Sequence, residues 1–301
     1  ILEPNDFSKV AMQKLEYLFD VKFLDYLELK QKKNVEVIFC RLKTFLDSKY
    51  LNNFENLKYI CSPTTGLNHI DETYCKNKSI EIISLKGETQ FLSNHVTSTA
   101  EFSWALMLTM SKKIIEASNQ VLNKLWEREN LKSYQLKDKK LGIVGMGRIG
   151  KQIRKYAITF GLNIYFYDPF VNIRGKINNL EKLARLVDIM FICCELNSNT
   201  KNLINKNIIS KFKNDMLLIN TSRGEIIDEE AIIKAIMNNK LYYATDVISD
   251  ELNPLKFDKS KLLHLNQNSN RLLITPHIGG ASRDAMKITE EFTSQKLNSY
   301  Y

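Results

Sequence analysis

The sequence has few cysteines and no long apolar run, and both shortages limit the kind of protein it encodes. Only five cysteines occur in 301 residues, and no two of them form a C-x-x-C pair. This odd number and spacing predict neither a disulfide framework nor a zinc site, and they favour reduced thiols in a cytoplasmic protein. The longest apolar runs, such as residues 189–194, suit a buried strand and are too short to cross a bilayer. We therefore expect no metal and no membrane segment.

The chain also lacks the basic region and apolar core of a secretory signal at its start. It opens on Ile1 rather than Met, in apolar residues typical of a strand already under way, so we expect a few native residues to precede it.

Acidic residues are outnumbered, with 34 against 43 basic ones and a net charge of +9. The lysines are scattered along the whole chain, whereas a nucleic-acid surface needs basic residues on one face. We expect a solvated basic surface and no nucleic-acid partner.

The order of apolar segments predicts an α/β protein with parallel sheets. Strand-like runs at residues 35–40, 58–61 and 80–85 alternate with helical segments in the first third of the chain. The same alternation resumes after residue 140, with apolar runs at 187–194, 216–220, 241–247 and 272–275. A length of 301 residues allows two domains with cores of their own.

The stretch at residues 141–169 has the pattern of a dinucleotide site. An apolar strand ends at Val144, and Gly145, Gly147 and Gly150 give G-x-G-x-x-G at the start of a helix. The glycines permit a tight turn, a close approach of pyrophosphate and close packing of the helix, whose N-terminus attracts phosphate. Asp168 ends the next apolar run, where it can accept both ribose hydroxyls and repel a 2′-phosphate. The strand, helix and acid around the glycines favour a binding site for NAD over a tight turn without a ligand.

Three polar residues follow three later strands. Arg223 comes after the run at 216–220, Glu251 after 241–247, and His277 after 272–275. Because ligands of open α/β sheets bind at the carboxyl ends of strands, we expect these side chains to converge. His277 is suited to exchange a proton near neutral pH, Glu251 to fix its tautomer, and Arg223 to hold a carboxylate and polarise a carbonyl. Such a set fits hydride transfer to a 2-keto acid.

The loop at residues 62–71 and two cations near it leave alternatives open. Gly66 lies in a strand-to-helix connection that is either a plain turn or a turn whose N–H groups hold a carboxylate. Arg41 and Lys43 follow the first strand, where they either stay solvated or receive a second anionic group of a substrate.

These motifs together resemble the D-isomer-specific 2-hydroxyacid dehydrogenases, which include phosphoglycerate, glycerate and D-lactate dehydrogenases. The resemblance covers nearly the whole chain and is carried by TTGLNHID, STAEFSWALML, LGIVGMGRIG with YDP, NTSRGEIIDEEAI, TDVISDE and TPHIGGAS. It implies two Rossmann-like, doubly wound parallel-sheet domains flanking a cleft. The substrate domain would comprise residues 1–94 and 279–301, and the inserted NAD-binding domain residues 95–278.

The resemblance also implies roles for individual residues. Arg223 would bind the substrate, Glu251 would pair with the histidine, and His277 would be the acid and base. The backbone of Thr65, Gly66 and Leu67 would bind the substrate carboxylate. The cofactor contacts that we expect are Gly145, Gly147, Arg148, Ile149, Gly150, Asp168, Thr221 and Asp246.

Two stretches depart from the family pattern. Leu252 and Asn253 stand between Glu251 and Pro254, where many members have proline directly after the glutamate, and this puts the local loop shape in question but not Glu251. Residues 86–92, KGETQFL, replace N-x-P-G-x-N, and this puts the substrate in question. Because the sequence ends at Tyr301, we expect no regulatory domain and disfavour the long, serine-regulated type of phosphoglycerate dehydrogenase.

The resemblance leaves room for another function. An NAD(H)-binding sensor or corepressor-like scaffold on the same fold would retain the same catalytic set. A formate dehydrogenase is disfavoured, because those relatives carry Gln where Glu251 stands. Relatives are usually homodimers through the nucleotide domain, and the apolar helix predicted at residues 95–110 fits such an interface.

Overall fold

A computed structural model describes residues 1–23, 28–253, 257, 259–266 and 269–300. The chain forms two compact units, Ile1–Val96 with Ala281–Tyr301, and Thr97–Gly280. The predicted boundaries were 94/95 and 278/279, and the substrate and nucleotide roles of the two units stay predictions. Pro254, where the family pattern is broken, lies outside the described residues. No helix of the described part of the chain is long and apolar enough to cross a membrane.

The first unit contains a three-stranded parallel sheet. Its strands are β1 (Val37–Phe39), β2 (Tyr59–Ser62) and β3 (Glu81–Ser84), in that order, with Ile60 of β2 paired to Ile38 and Ile82. Its helices are α1 (Lys9–Leu18), α2 (Leu29–Lys32), α3 (Ser48–Leu51), α4 (Glu72–Asn77), α5 (Thr89–His95) and the last helix of the chain, Arg283–Asn298, labelled α13.

The second unit contains a six-stranded sheet in which every pair is parallel. Its strands are β4 (Lys140–Val144), β5 (Asn163–Tyr167), β6 (Ile189–Ile192), β7 (Met216–Asn220), β8 (Leu241–Thr245) and β9 (Leu272–Ile274). Its helices are α6 (Ser98–Ser111), α7 (Ile114–Leu122), α8 (Arg148–Thr159), α9 (Leu180–Leu186), α10 (Lys206–Ser210), α11 (Glu229–Met237) and α12 (Lys261–Asn266), with short 3-10 turns at Glu129–Leu131 and Gly224–Ile226.

The strand order β5-β4-β6-β7-β8-β9 is that of a doubly wound sheet. An isolated parallel bridge between Phe166 and Lys176 extends the sheet beyond β5. When this bridge is counted as the third position, the order becomes the 3-2-1-4-5-6 of the Rossmann fold, followed by β9 as one additional strand. The direction of winding reverses between β4 and β6, so the carboxyl end of β4 is the switch point where such sheets bind ligands. The predicted fold class is confirmed.

The central strands are buried on both faces, as their continuous apolar runs predict. Every residue of β6 and of β7 is buried. Alternate side chains enter two separate clusters: Met190, Ile192 and Leu218 pack on one face, and Phe191 and Ile219 on the other.

The helix predicted at residues 95–110 begins later than expected. His95 ends α5, Val96 is extended, and α6 starts at Ser98. The prediction was wrong at this end because the apolar pattern runs on through the point where the chain leaves the first unit. Trp104 and Met107 of α6 pack in the core beneath β4 and β6.

Candidate functional site

The turn after β4 forms an open cradle at the switch point. Gly145 has φ +94, a conformation that favours glycine. A side chain at Gly150 would lie 2.2 Å from the Gly145 carbonyl oxygen, so α8 packs directly on the turn. In contrast, a Cβ at the exposed Gly147 would meet no atom within 4 Å. Rigid backbone on one side and open space on the other fit a pyrophosphate at the start of α8.

Asp168, which we predicted to accept the ribose hydroxyls of the cofactor, follows β5 beside this turn. Its side chain is largely buried and accepts three backbone hydrogen bonds: Oδ2 from the N–H of Met146 at 2.8 Å, and Oδ1 from Phe170 at 2.8 Å and Val171 at 3.2 Å. A carboxylate offers about four lone-pair positions, so one remains on Oδ2. Asp168 therefore also fastens the glycine turn to the end of β5.

Arg223 stands at the end of the turn that follows β7. The buried amide of Asn220 shapes this turn, since its Nδ2 donates to the Arg223 carbonyl oxygen at 2.9 Å and its Oδ1 accepts from the N–H of Ser222 at 3.0 Å. A Cβ on Gly224 would meet the Ile248 carbonyl carbon at 2.1 Å, so the turn carrying Arg223 lies directly against the segment leading to Glu251. Burial lowers the pKa of Arg223, and the nearby carboxylates of Glu251 and Glu225 oppose that shift.

Glu251 and His277 form a close pair. Nδ1 of His277 lies 2.5 Å from Oε1 of Glu251, and about a quarter or less of each side chain is exposed. The second carboxylate oxygen accepts from the N–H of Ile248 at 3.4 Å. This arrangement holds the imidazole by Nδ1 and leaves Nε2 for another partner. The structure thus pairs Glu251 with His277, and Glu251 lies near enough to Arg223 to act on the pKa of its guanidinium.

The loop carrying His277 is wrapped around Asp246. The buried carboxylate accepts from the Thr275 hydroxyl at 2.6 Å, the N–H of Ile278 at 2.9 Å and the N–H of Gly279 at 2.7 Å. The Asp246 carbonyl oxygen accepts from the N–H of His277 at 2.9 Å. Burial raises the pKa of Asp246, and its hydrogen-bond donors oppose the shift. Sequence reasoning assigned Asp246 to the cofactor and missed this anchoring contact.

The start of α6 holds the same loops from a second direction. The Ser98 hydroxyl donates to the Gly279 carbonyl oxygen at 2.8 Å. Ser103 donates to the Thr99 carbonyl oxygen, so its 2.6 Å contact with Thr221 is a bond from the Thr221 hydroxyl. Both serines lie in a stretch that the sequence identified only as an apolar helix.

Arg148 and Ile149, the remaining predicted cofactor contacts in this unit, are half-buried at the start of α8. Burial lowers the pKa of Arg148.

Thr65, Gly66 and Leu67, the predicted carboxylate loop, lie after β2 in the first unit. Within the described residues, no acceptor lies within hydrogen-bonding distance of their three backbone N–H groups. These N–H groups are therefore available to an anion.

Arg41 is committed to a buried ion pair. Its Nε donates to Oε1 of Glu290 at 2.8 Å, Nη2 lies 2.6 Å from the same oxygen in an ion pair, and the Glu290 side chain is 1% exposed. Oε2 of Glu290 accepts from the N–H of Ser8 at 2.7 Å. Arg41 thus binds α13 to the first unit, and the structure favours neither a solvated Arg41 nor one that receives substrate.

In the comparison with known proteins, a family model matches a stretch that lies within the second unit of the chain. Residues 104–279 match the family described as D-isomer specific 2-hydroxyacid dehydrogenase, NAD binding domain. A hydroxypyruvate reductase of Thermotoga maritima is 30% identical over 284 residues, which are 93% of this chain and 90% of that protein. A D-3-phosphoglycerate dehydrogenase of Archaeoglobus fulgidus is 30% identical over 264 residues, 85% of this chain, and the chain spans only 48% of its length. The crystal structure of D-lactate dehydrogenase from Aquifex aeolicus, complexed with NAD and lactic acid, has a TM-score of 0.82 and 25% identity, covering 99% of this chain and 93% of that chain.

A doubly wound parallel sheet with an open glycine turn at its switch point, and a histidine–glutamate pair after neighbouring strands, is typical of a dinucleotide-dependent oxidoreductase. The chain belongs to the D-isomer specific 2-hydroxyacid dehydrogenase family, and residues 104–279 are its NAD-binding domain.

Proposed function

We propose that the protein interconverts a small 2-keto acid and the corresponding D-2-hydroxy acid by NAD-dependent hydride transfer. The observation that carries this proposal is the contact of His277 with Glu251, at 2.5 Å, beside the partly buried charge of Arg223. An imidazole held by one nitrogen and a guanidinium in a site of reduced solvation are the two groups that ketone reduction next to a carboxylate requires.

Each of the three side chains has one task in the reduction. Arg223 holds the carboxylate through its planar fork and polarises the carbonyl oxygen, and its partial burial strengthens both interactions. His277 gives the proton on Nε2 to the carbonyl oxygen, and it takes that proton back in the oxidation. Glu251 accepts from Nδ1, which keeps the ring in the required tautomer. Bound NADH supplies the hydride to the carbonyl carbon.

The residues of the glycine turn fit this cofactor. Pyrophosphate would lie against Gly147 at the start of α8, with Arg148 and Ile149 beside it. The remaining lone pair of Asp168 would accept a ribose hydroxyl, and its charge disfavours the 2′-phosphate of NADP. Thr221 and Asp246 would line the nicotinamide end.

The substrate would be small and would carry a carboxylate for the free N–H groups of Thr65, Gly66 and Leu67. The Thermotoga relative is a hydroxypyruvate reductase and the Aquifex structure contains lactic acid, which favours a three-carbon acid. Because Arg41 is paired with Glu290, we do not expect it to select a phosphorylated substrate.

We further propose that the protein forms a homodimer through the NAD-binding unit and that it is cytoplasmic. An exposed apolar face on α7 supports the homodimer. The five cysteines, all free thiols, support the cytoplasmic location.

The experiment is NADH oxidation against glyoxylate, hydroxypyruvate, pyruvate, 2-oxoglutarate and phosphohydroxypyruvate, with the wild type and His277→Ala. Loss of an acid–base group should lower kcat by about 10²- to 10⁴-fold while the Kd for NADH stays near the wild-type value. His264→Ala, at an exposed histidine of the same unit, is the matched control and should leave both unchanged.

Unchanged turnover in His277→Ala would remove this residue from the mechanism. A wild type that binds NADH tightly and reduces none of the acids would favour the sensor function instead.

A further inference from the structure

A chain of hydrogen bonds runs through the first unit from His69 to the carbonyl group of Gly66. Nε2 of His69 lies 3.0 Å from the Ser62 hydroxyl, and that hydroxyl lies 2.8 Å from the hydroxyl of Thr64. The Thr64 hydroxyl donates to the Gly66 carbonyl oxygen at 2.9 Å. His69 and Ser62 are fully buried, and we call this set of four groups the His69 relay.

The number of protons fixes the direction of the His69 relay. The only proton of the Thr64 hydroxyl goes to Gly66, so its contact with Ser62 is a bond that Ser62 donates. The single Ser62 proton is then used, so the contact with His69 is a hydrogen bond only if Nε2–H of His69 donates. Nε2 of His69 therefore carries a proton.

The surroundings keep this direction. Cys40 is the thiol nearest to the ring, with Sγ 3.9 Å from Nε2. Burial raises the pKa of the Cys40 thiol, so it stays neutral and does not compete as a charged acceptor. The backbone of His69 is itself fixed, since its carbonyl oxygen accepts from the N–H of Leu46 at 2.7 Å.

The last bond of the relay acts on the predicted carboxylate loop. A carbonyl group that accepts a hydrogen bond has its whole peptide unit polarised, and chains of such bonds reinforce one another. The peptide of the Gly66 carbonyl group includes the N–H of Leu67, one of the three N–H groups with no acceptor among the described residues. The relay thus both orients this N–H and makes it a stronger donor.

We propose that His69 is a positioning residue that acts through Ser62 and Thr64 on the carboxylate-binding backbone of residues 65–67. The inference rests on the proposed function for the identity of the anion, and on the hydrogen bonds of the first unit for everything else. His69 contacts no substrate in this proposal. It sets the geometry and donor strength of the loop.

Thr64→Val tests the proposal, because it removes the last link and keeps the side-chain shape. We expect KM for the 2-keto acid and Kd for oxamate, a stable pyruvate analogue, to rise about five- to tenfold, the worth of one hydrogen bond. The carboxylate is bound alike in ground state and transition state, so kcat should stay within about twofold of the wild type. His69→Leu should reproduce this split, and Thr64→Ser, which keeps the hydroxyl, should restore the wild-type values.

Thr293→Val is the matched control, since Thr293 is a buried threonine of the same unit whose hydroxyl bonds only to its own helix, at the Thr289 carbonyl oxygen. It should lower Tm as Thr64→Val does and leave KM and Kd unchanged. Equal KM and oxamate Kd values in Thr64→Val and the wild type would overturn the proposal, and so would equal losses in the two valine variants.

Failure of the proposed function has a different signature. A wild type that reduces no acid but binds oxamate more tightly than Thr64→Val does would refute the dehydrogenase activity and support the relay. A wild type that neither reduces the acids nor binds oxamate would overturn both.

The protonation of Nε2 gives a second readout, which tests the direction of the relay. In ¹⁵N NMR, His69 should show a protonated Nε2, assigned by the signals lost in His69→Gln. The opposite tautomer would reverse the direction of the relay and overturn the proposal.

Discussion

His277 holds its place through a backbone conformation that most residues avoid. Its φ is +54, in the left-handed region, and such a residue persists only where its surroundings over-determine it. Asp246 supplies those surroundings, since its carboxylate and carbonyl group accept four hydrogen bonds from the loop at residues 275–279. The position of the proposed catalytic imidazole therefore depends on the Asp246 carboxylate.

Asp246→Asn should loosen this loop without removing any of the three proposed catalytic side chains. An amide nitrogen cannot accept from the N–H of Gly279, so at least one bond is lost and the remaining ones lose their charge. A displacement of the imidazole by about 1 Å would cost roughly 10²-fold, so we expect kcat to fall about 10- to 100-fold and Tm to drop. Steady-state kinetics and thermal melts measure the two effects.

Asp215→Asn is the control, because it makes the same change in the same unit at the opposite end of β7, where Asp215 forms an exposed pair with Arg271. Equal activity in Asp246→Asn and Asp215→Asn would show that the loop keeps its shape without the carboxylate.

For individual side chains, the sequence predicts which ones converge but not which contacts hold them in place. Arg223, Glu251 and His277 each follow a strand, and parallel strands bring their carboxyl ends to one edge, so their convergence is predictable. The contact of Arg41 with Glu290 joins positions 249 residues apart, and no local pattern announces it. For the same reason the anchoring role of Asp246 became visible only in the folded loop.

The element that sets the cofactor site is the turn between β4 and α8. Its glycines are not equivalent, although all three satisfy the motif. Gly150 is required by the protein itself, because its Cα faces the Gly145 carbonyl oxygen, whereas the space at Gly147 is open. We propose that the pyrophosphate of the cofactor fills that space.

The same substitution, glycine to alanine, distinguishes the roles of Gly147 and Gly150. Gly147→Ala should fold with a Tm close to that of the wild type and yet bind NADH at least about tenfold more weakly, because the methyl group occupies the place of the pyrophosphate. Gly150→Ala should lower Tm strongly, because its Cβ would lie 2.2 Å from a backbone oxygen. Calorimetric titration with NADH and thermal melts give both quantities, and unweakened binding in Gly147→Ala would place the cofactor elsewhere.

Elements are predicted well where burial is uniform along them. The fully apolar runs of β6 and β7 identify central strands of a parallel sheet, and the structure has them there. The break between α5 and α6 was missed because Val96 and Thr97 continue an apolar and helix-compatible pattern. There the connection between two units, rather than local propensity, ends the helix.

For the whole molecule, a group of exposed apolar side chains of the described NAD-binding unit lies on and after α7. No residue of α7 is buried, and Leu122 and Trp126 are 77% and 87% exposed. The other exposed apolar side chains of this surface are Ile114, Ile115, Val121 and Leu125. Because apolar faces of this kind often serve as interaction sites, we propose that a second copy of the chain covers this one through a two-fold interface. This moves the expected interface from α6, whose Trp104 and Met107 are committed to the core, to α7.

Leu122→Arg combined with Trp126→Arg should therefore separate the subunits. Two cations on each copy would face each other across a two-fold axis, where desolvation and like-charge repulsion both oppose association. Light scattering after size exclusion should give twice the chain mass of 35.0 kDa for the wild type and 35.0 kDa for the double variant. Met237→Arg changes a side chain that is 66% exposed at the end of α11, and it should leave the dimer intact. A monomeric wild type, or a double variant that still elutes as a dimer, would show that the α7 surface is not the subunit interface.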